Sequence, residues 1–245
     1  MGFDGFSIPS LKELYARPYD ERMLEWRRRG ARDKAANILG MVGERASEIA
    51  TVLEVGAGTG DVLNCLSDAG FGKSLAGIEI GDARLASSSP RPNVTLSYFD
   101  GSRIAAPDQS FDLVYATHVL EHVVHERAFL HELARVARRY VYVEVPLEIH
   151  ARTTWKSLNT TLQIGHINPY DRHGFVLKLE TSGLKVLDHQ LFDHSFAVQS
   201  FGGTPARAAM KMTLRRLGLL AGIGSLFLSY HCGALCVPAA KPDIA

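Results

Sequence analysis

Residues 51–61 read Thr51-Val52-Leu53-Glu54-Val55-Gly56-Ala57-Gly58-Thr59-Gly60-Asp61. A short apolar run that ends in a glycine-rich turn is the pattern of a buried parallel strand feeding a helix. Glycine at 56, 58 and 60 lets the backbone turn sharply, and lets a ligand come within contact distance where a side chain would clash. A dinucleotide fingerprint carries glycine at its sixth position, and Asp61 stands there instead.

Outward from this loop, strand and helix alternate. A helix is expected from about Asp61 to Ala69, stopped by Gly70, then a strand over Leu75–Ile80, a short helix over Asp82–Ser88 and a strand over Val94–Phe99. Phe111–Ala116 reads as a fourth strand, Glu126–Arg138 as an amphipathic helix, and Tyr140–Val145 as a fifth strand halted by Pro146. Upstream, Met23, Leu24, Ala31, Ala35, Ile38, Leu39 and Val42 recur at helical spacing between Asp20 and Gly43, which predicts one or two helices. Five strand–helix units predict an α/β fold with a doubly wound parallel sheet.

Periodicity fades from Leu147 to Pro169. A stretch of that length without clear structure in a compact domain usually serves function, so it reads as a substrate loop or lid. Tyr170–Ser182 resumes as a helix closed by Gly183, Leu184–Phe192 alternates as a strand, Pro205–Leu217 is a basic helix, and Ser229–Val237 supplies a last strand. A length of 245 residues suits one domain, 1–245, with residues 1–33 as an N-terminal cap segment.

Composition narrows the function classes. The 27 lysines and arginines balance 26 acidic residues, so no global field recruits nucleic acid, and a small-molecule partner is expected. One local bias is Arg27-Arg28-Arg29 with Arg32 and Lys34, which either grips a phosphate or carboxylate or forms a solvated helix face. Cys65, Cys232 and Cys236 are too few and wrongly spaced for a disulfide framework or a four-ligand zinc site, which points to a reducing cytoplasm. The N-terminus shows no signal-peptide pattern. Leu217–Val237 lacks charged groups over a length near that of a bilayer span, yet it contains four glycines and alternates in its second half. A buried turn and strand is the better expectation, with peripheral membrane contact through Leu219, Leu220 and Phe227 left open.

The glycine loop with Glu54 before it resembles the first motif of class I S-adenosylmethionine-dependent methyltransferases. That resemblance implies S-adenosylmethionine as cofactor, an acid at Glu54 beneath its methionine end, and Gly56, Ala57, Gly58 and Gly60 along it. Glu79 stands about 20 residues past the loop, where an acid can accept from both ribose hydroxyls. In the family an acid such as Asp100, followed here by Gly101, holds the adenine amino group, with Ile80 and Ser102 flanking the base. Thr117-His118-Val119-Leu120-Glu121-His122-Val123 resembles the family's fourth motif, which places Thr117 and His118 at the methyl-transfer site. The implied fold is a seven-stranded, mostly parallel, Rossmann-like sheet. Gly165-His166-Ile167-Asn168 weakly echoes a subgroup with many small-molecule and sugar methyltransferases.

The resemblance implies methyl transfer to oxygen or nitrogen of a small metabolite or sugar. A catalytic base is needed only where the acceptor must lose a proton, and His166, His150 and then His118 are the candidates. His118, His122, His125, His150 and His166 fit no tight metal template, so no metal is expected. Tyr19 and Trp26 either close over the ligand or join the core. A non-catalytic cofactor-binding scaffold is the alternative, and a nicotinamide oxidoreductase is disfavoured by Asp61 and the Leu120–Val123 tetrad.

Overall fold

The computed structural model describes residues 19–239. After α1 (Glu21–Val42) and a 3₁₀ turn come β1 (Thr51–Val55), α2 (Asp61–Asp68), β2 (Ser74–Glu79), α3 (Asp82–Ala86), β3 (Val94–Tyr98) and β4 (Phe111–Thr117). Then follow α4 (Glu126–Val136), β5 (Ala137–Pro146), α5 (Trp155–Leu162), α6 (Arg172–Glu180), β6 (Leu184–Phe192), α7 (Phe196–Gln199), α8 (Pro205–Leu220), α9 (Gly224–Phe227) and β7 (His231–Pro238). The strands form one seven-stranded sheet in the order β3-β2-β1-β4-β5-β7-β6, parallel except for β7, which runs antiparallel to β5 and β6. The expected mostly parallel α/β sheet is therefore present.

Alternation along the strands builds two cores. Val52, Leu113, Tyr115 and Tyr142 face the layer of α1 and α2, packing with Ile38, Val42, Leu63 and Leu66. Their neighbours Leu53, Val114, Ala116, Val141 and Val143 face the opposite layer, where Leu130 and Leu133 of α4 and Phe175 and Leu179 of α6 cover them. Each fully buried Leu, Val or Phe side chain contributes about 1.5–3 kcal/mol of transfer free energy, so burial on both faces makes the central strands a rigid platform for the loops at their carboxyl ends.

Several boundaries differ from the sequence expectation. The helix expected to reach Arg138 stops at Val136, because Ala137 pairs with Phe111 and opens β5 three residues before Tyr140. The helix expected from Tyr170 starts at Arg172: Tyr170 is buried in a bridge to Leu147, and Asp171 caps the helix by accepting from the backbone of His173 and Gly174. The segment 147–169 contains α5, whose start is fixed by Thr154 and Ser157 in a reciprocal capping box. Residues 217–237 divide among the end of α8, α9 and β7, and no helix of the described residues is long and apolar enough to cross a membrane. Of the expected cap segment 1–33, residues 1–18 lie outside the described part, and the rest belongs largely to α1.

Candidate active site

The carboxyl ends of β1, β2, β4 and β5 and the start of β7 meet at one edge of the sheet, the position at which open α/β sheets bind ligands. The backbone N–H groups of Gly56 and Ala57 donate to the Ile78 carbonyl at 2.8 and 3.0 Å, which pins the β1 loop against β2. Gly56 has φ +82°, and a β-carbon there would meet Val119 at 2.5 Å. Gly58, at φ +57°, lies under the Arg27 guanidinium, 2.9 Å from where its β-carbon would stand. Arg27 of α1 thus covers the loop, and the Tyr19 ring stacks on both Arg27 and Arg84, at 4.4 and 4.7 Å.

Glu54 ends β1 only 2% exposed, and its Oε2 has no hydrogen-bond partner among the described residues. Burial pushes its pKa up to about 8. The Tyr115 hydroxyl and the charges of Lys34 and Arg27 offset that burial only in part, and a cationic ligand at this point relieves the remaining cost. The ammonium of a methionine moiety fits. Glu79 is equally buried, not exposed on a loop as its position in the sequence suggests. The turn after it folds back, so Oε2 accepts from Gly58 N at 2.7 Å, and Oε1 accepts from Gly81 N at 3.1 Å and Arg84 at 3.2 Å. Its remaining lone pairs are what a ribose would use. Asp100 is exposed and accepts from Ser102 N and Oγ through Oδ1, which lowers its pKa. Gly101 packs beside the exposed Ile80. Thr117 is buried at the end of β4.

His118 follows in the left-handed region at φ +57°, its backbone N–H donating to the Glu144 carbonyl at 2.8 Å. A non-glycine residue held there is uncommon and marks a constrained position. Its Nε2 lies 3.4 Å from Glu144 Oε1, its Nδ1 lies 3.7 Å from Glu121 Oε1, and its ring packs on His231 at 4.5 Å. Burial, then Lys34 and His231, lower the His118 pKa well below the usual histidine value, so its ring is neutral. Lys34, half-buried on α1, faces Glu144, Glu121 and Glu54; burial and Arg27 lower its pKa to about 8.

The segment 147–169 is stapled to the loop after β4. Ile167 N and Asn168 N donate to the Glu121 carbonyl at 2.9 and 3.0 Å, and the Asn168 side chain donates to the carbonyls of Leu120 and Val123. His122 shares a hydrogen bond between Nδ1 and the Gly165 carbonyl at 2.9 Å, and its ring meets His166 at 4.7 Å. His166 pairs with Glu148, Nδ1 to Oε1, at 2.7 Å. Burial works against the charged His166 ring, but Glu148 and Glu121 outweigh it and raise its pKa. His150 stands apart from both, 3.2 Å from Ser229 Oγ and with its pKa lowered by burial.

Beside this cluster opens a cavity of about 550 Å³, whose wall includes Glu148, His150, Arg152, His194, Lys211 and His231. The three expected base candidates are therefore not side by side. His150 lines the cavity, His166 reaches it through Glu148, and His118 sits behind His231. The sequence expectation missed Glu144, Glu148, His194 and His231, and it named Lys34 only as part of the basic cluster. A signal for Glu144 was available: it is a lone acid inside the apolar run Tyr140–Pro146, and a charge in a buried strand needs partners.

A family profile described as "Methyltransferase domain" matches residues 19–189. A search of curated proteins finds no match. Among solved structures, the chain is similar to a SAM-dependent methyltransferase from Aquifex aeolicus, with 18% identity, TM-score 0.54, and 95% of this chain and 98% of that one covered. It is also similar to the magnesium protoporphyrin IX methyltransferase of Synechocystis PCC 6803 with bound SAH, with 14% identity, TM-score 0.55, and coverage of 93% and 92%. Phosphoethanolamine N-methyltransferase 2 of Haemonchus contortus aligns at 13% identity and TM-score 0.60, over 84% of this chain and 53% of that one. With the glycine loop, the buried acid that precedes it and the sheet order all in place, the chain belongs to the methyltransferase domain family, as a class I S-adenosylmethionine-dependent methyltransferase.

Proposed function

We propose that this methyltransferase methylates an oxygen or nitrogen of a small molecule seated in the cavity between the lid and β7. The observation that carries the reading is the 550 Å³ cavity itself, which meets the buried cluster at Glu148 and His231. A non-catalytic scaffold has no use for a second pocket against the donor site. Arg152 and Lys211, cations on the cavity wall that pair with no carboxylate among the described residues, favour an acceptor that carries an anionic group.

Glu54 would hold the methionine ammonium, Arg27 its carboxylate, Glu79 the ribose and Asp100 the adenine. When bound, the cofactor supplies a sulfonium methyl, whose C–S electron pair stays on sulfur as the acceptor's lone pair forms the new bond. His166 takes the proton the acceptor loses, and Glu148, 2.7 Å away, stabilises the imidazolium that results. The lid contacts to Glu121 hold the acceptor side in register and keep water out. The test is transfer of labelled methyl from S-adenosylmethionine into a fractionated cell extract. Label in the small-molecule or lipid fraction is expected, and label confined to protein or nucleic acid contradicts the reading.

The outer face of α8 and α9 favours an acceptor reached at a membrane surface. Met210, Leu214, Leu217, Leu220, Leu226 and Phe227 are exposed there, Leu220 by 86%. Arg207, Lys211 and Arg216 flank the stripe, and residues 194–242 contain no aspartate or glutamate. An apolar stripe edged by cations fits an anionic lipid surface. Phe227 and Lys211 also belong to the cavity wall, so the mouth of the cavity faces the same way.

A further inference from the structure

We propose that His118, Glu144 and His231 form a binding site for one divalent transition-metal ion, Zn²⁺ by its geometry, beside the acceptor cavity. His118 directly follows β4, Glu144 stands on β5 and His231 opens β7, and these strands are consecutive neighbours in the sheet. Register brings them together: Thr117 pairs with Glu144, and His231 pairs with Pro146. Both imidazoles approach one carboxylate oxygen. Glu144 Oε1 lies 3.4 Å from His118 Nε2 and 3.5 Å from His231 Nδ1, and all three donors lie within 4.8 Å of one another.

These separations are too long for charge-assisted hydrogen bonds, which fall at about 2.7–2.9 Å. Glu144 Oε1 and His118 Nε2 are in fact buried without a hydrogen-bond partner among the described residues. They match another geometry. Ligand atoms about 2.1 Å from a tetrahedral zinc ion stand about 3.4 Å from each other. Two imidazoles and a carboxylate are a donor set that zinc takes in open, three-ligand sites.

The surroundings are those of a metal ligand set. Glu144 Oε2 accepts from Tyr142 Oη at 2.6 Å and from Asn37 Nδ2 at 3.0 Å, which aims Oε1 at the imidazoles. Glu121 Oε1 stands 3.7 Å from His118 Nδ1, on the side of the ring away from Glu144. Lys34 opposes a dication, but it faces three buried carboxylates, Glu54, Glu121 and Glu144, so the patch still has room for positive charge. The neighbouring group Glu121, His122 and His166 is looser, with His122 Nε2 at 4.0 Å from Glu121 Oε1, and His166 is engaged by Glu148.

His231 lines the cavity, so the fourth metal position faces the acceptor. There the ion would bind the acceptor oxygen and lower its pKa, with the proton passing to His166 and no change of oxidation state. That role rests on the methyl-transfer reading, whereas the site itself does not. The experiment is calorimetric titration of Zn²⁺ into the chelator-treated full chain without cofactor, paired with Co²⁺ absorption spectra. One equivalent at a Kd near or below about 1 μM is expected, with the strong visible bands of four-coordinate Co²⁺. Glu144→Gln and His231→Ala should each weaken binding at least 100-fold, Tyr142→Phe about 10-fold, and His166→Ala not at all. Wild-type protein that binds no Zn²⁺, or that loses it in His166→Ala and keeps it in His231→Ala, overturns the site. S-adenosylmethionine affinity, measured on the same variants, reports separately on the methyltransferase reading and on folding.

Discussion

His166 Nδ1 lies 2.7 Å from Glu148 Oε1, and this pair joins His166 to the wall of the 550 Å³ cavity. The carboxylates of Glu148 and Glu121 face the ring, as does the imidazole of His122, and the two acids raise the His166 pKa despite burial. A base must be neutral to accept a proton, so kcat/KM should rise with pH through that raised pKa and level off above it. In Glu148→Gln the rise should move to lower pH while the plateau falls. His166→Ala should lower kcat roughly 100-fold or more, the usual scale of general-base catalysis. A pH profile that Glu148→Gln leaves in place removes His166 from the mechanism.

Glu54 should cost the free protein stability. Its pKa, normally 4.5, is raised to about 8 by burial, so the folded chain binds an extra proton between those values and stability falls as pH rises through that window. At pH 7 the cost is about 3 kcal/mol, at 1.36 kcal/mol per unit. Glu54→Gln should therefore raise the ligand-free Tm by roughly 6–12 °C and flatten its pH dependence from pH 5 to 8. Thermal melts across that range check it.

Gly56 is fixed by two constraints at once, a φ of +82° and the Val119 side chain 2.5 Å from any β-carbon. Gly56→Ala should cost about 1–3 kcal/mol and displace the loop. Denaturant unfolding should show the loss, and a double variant with Val119→Ala should recover the steric part but not the part due to φ.

The α8–α9 face should bind vesicles of anionic phospholipid and not vesicles of phosphatidylcholine alone. Leu217→Glu with Leu220→Glu should abolish co-sedimentation without lowering Tm, since both side chains are exposed. Salt should weaken the binding, as the flanking Arg207, Lys211 and Arg216 are held by charge. If the face is instead covered by residues 1–18 or by a second copy of the chain, wild-type protein will not sediment with the vesicles.

The candidate donor residues are legible in the sequence because they sit at strand ends within short, local motifs. Glu54 and the loop, Glu79, Asp100 and Thr117–Val123 all fall where the alternation of strands and helices places them. The acceptor half was hidden because it is made by tertiary pairing. His231 reaches His118 only because β7 returns antiparallel beside β5, and no local spacing encodes that. Helix α5 was missed for a different reason: it has eight residues and none of them is buried, so it leaves no apolar period to read. The buried state of Glu79 depends on the turn at Gly81 folding back, again beyond local pattern.

We propose that the β1 loop and Glu54 form the S-adenosylmethionine site. Calorimetric titration of the cofactor into the full chain tests it most directly. Wild type should bind one equivalent with micromolar Kd, and Glu54→Gln should bind roughly 10–100-fold more weakly, the loss of one charge-assisted contact. No binding by folded wild-type protein, or equal affinity in Glu54→Gln, would contradict it.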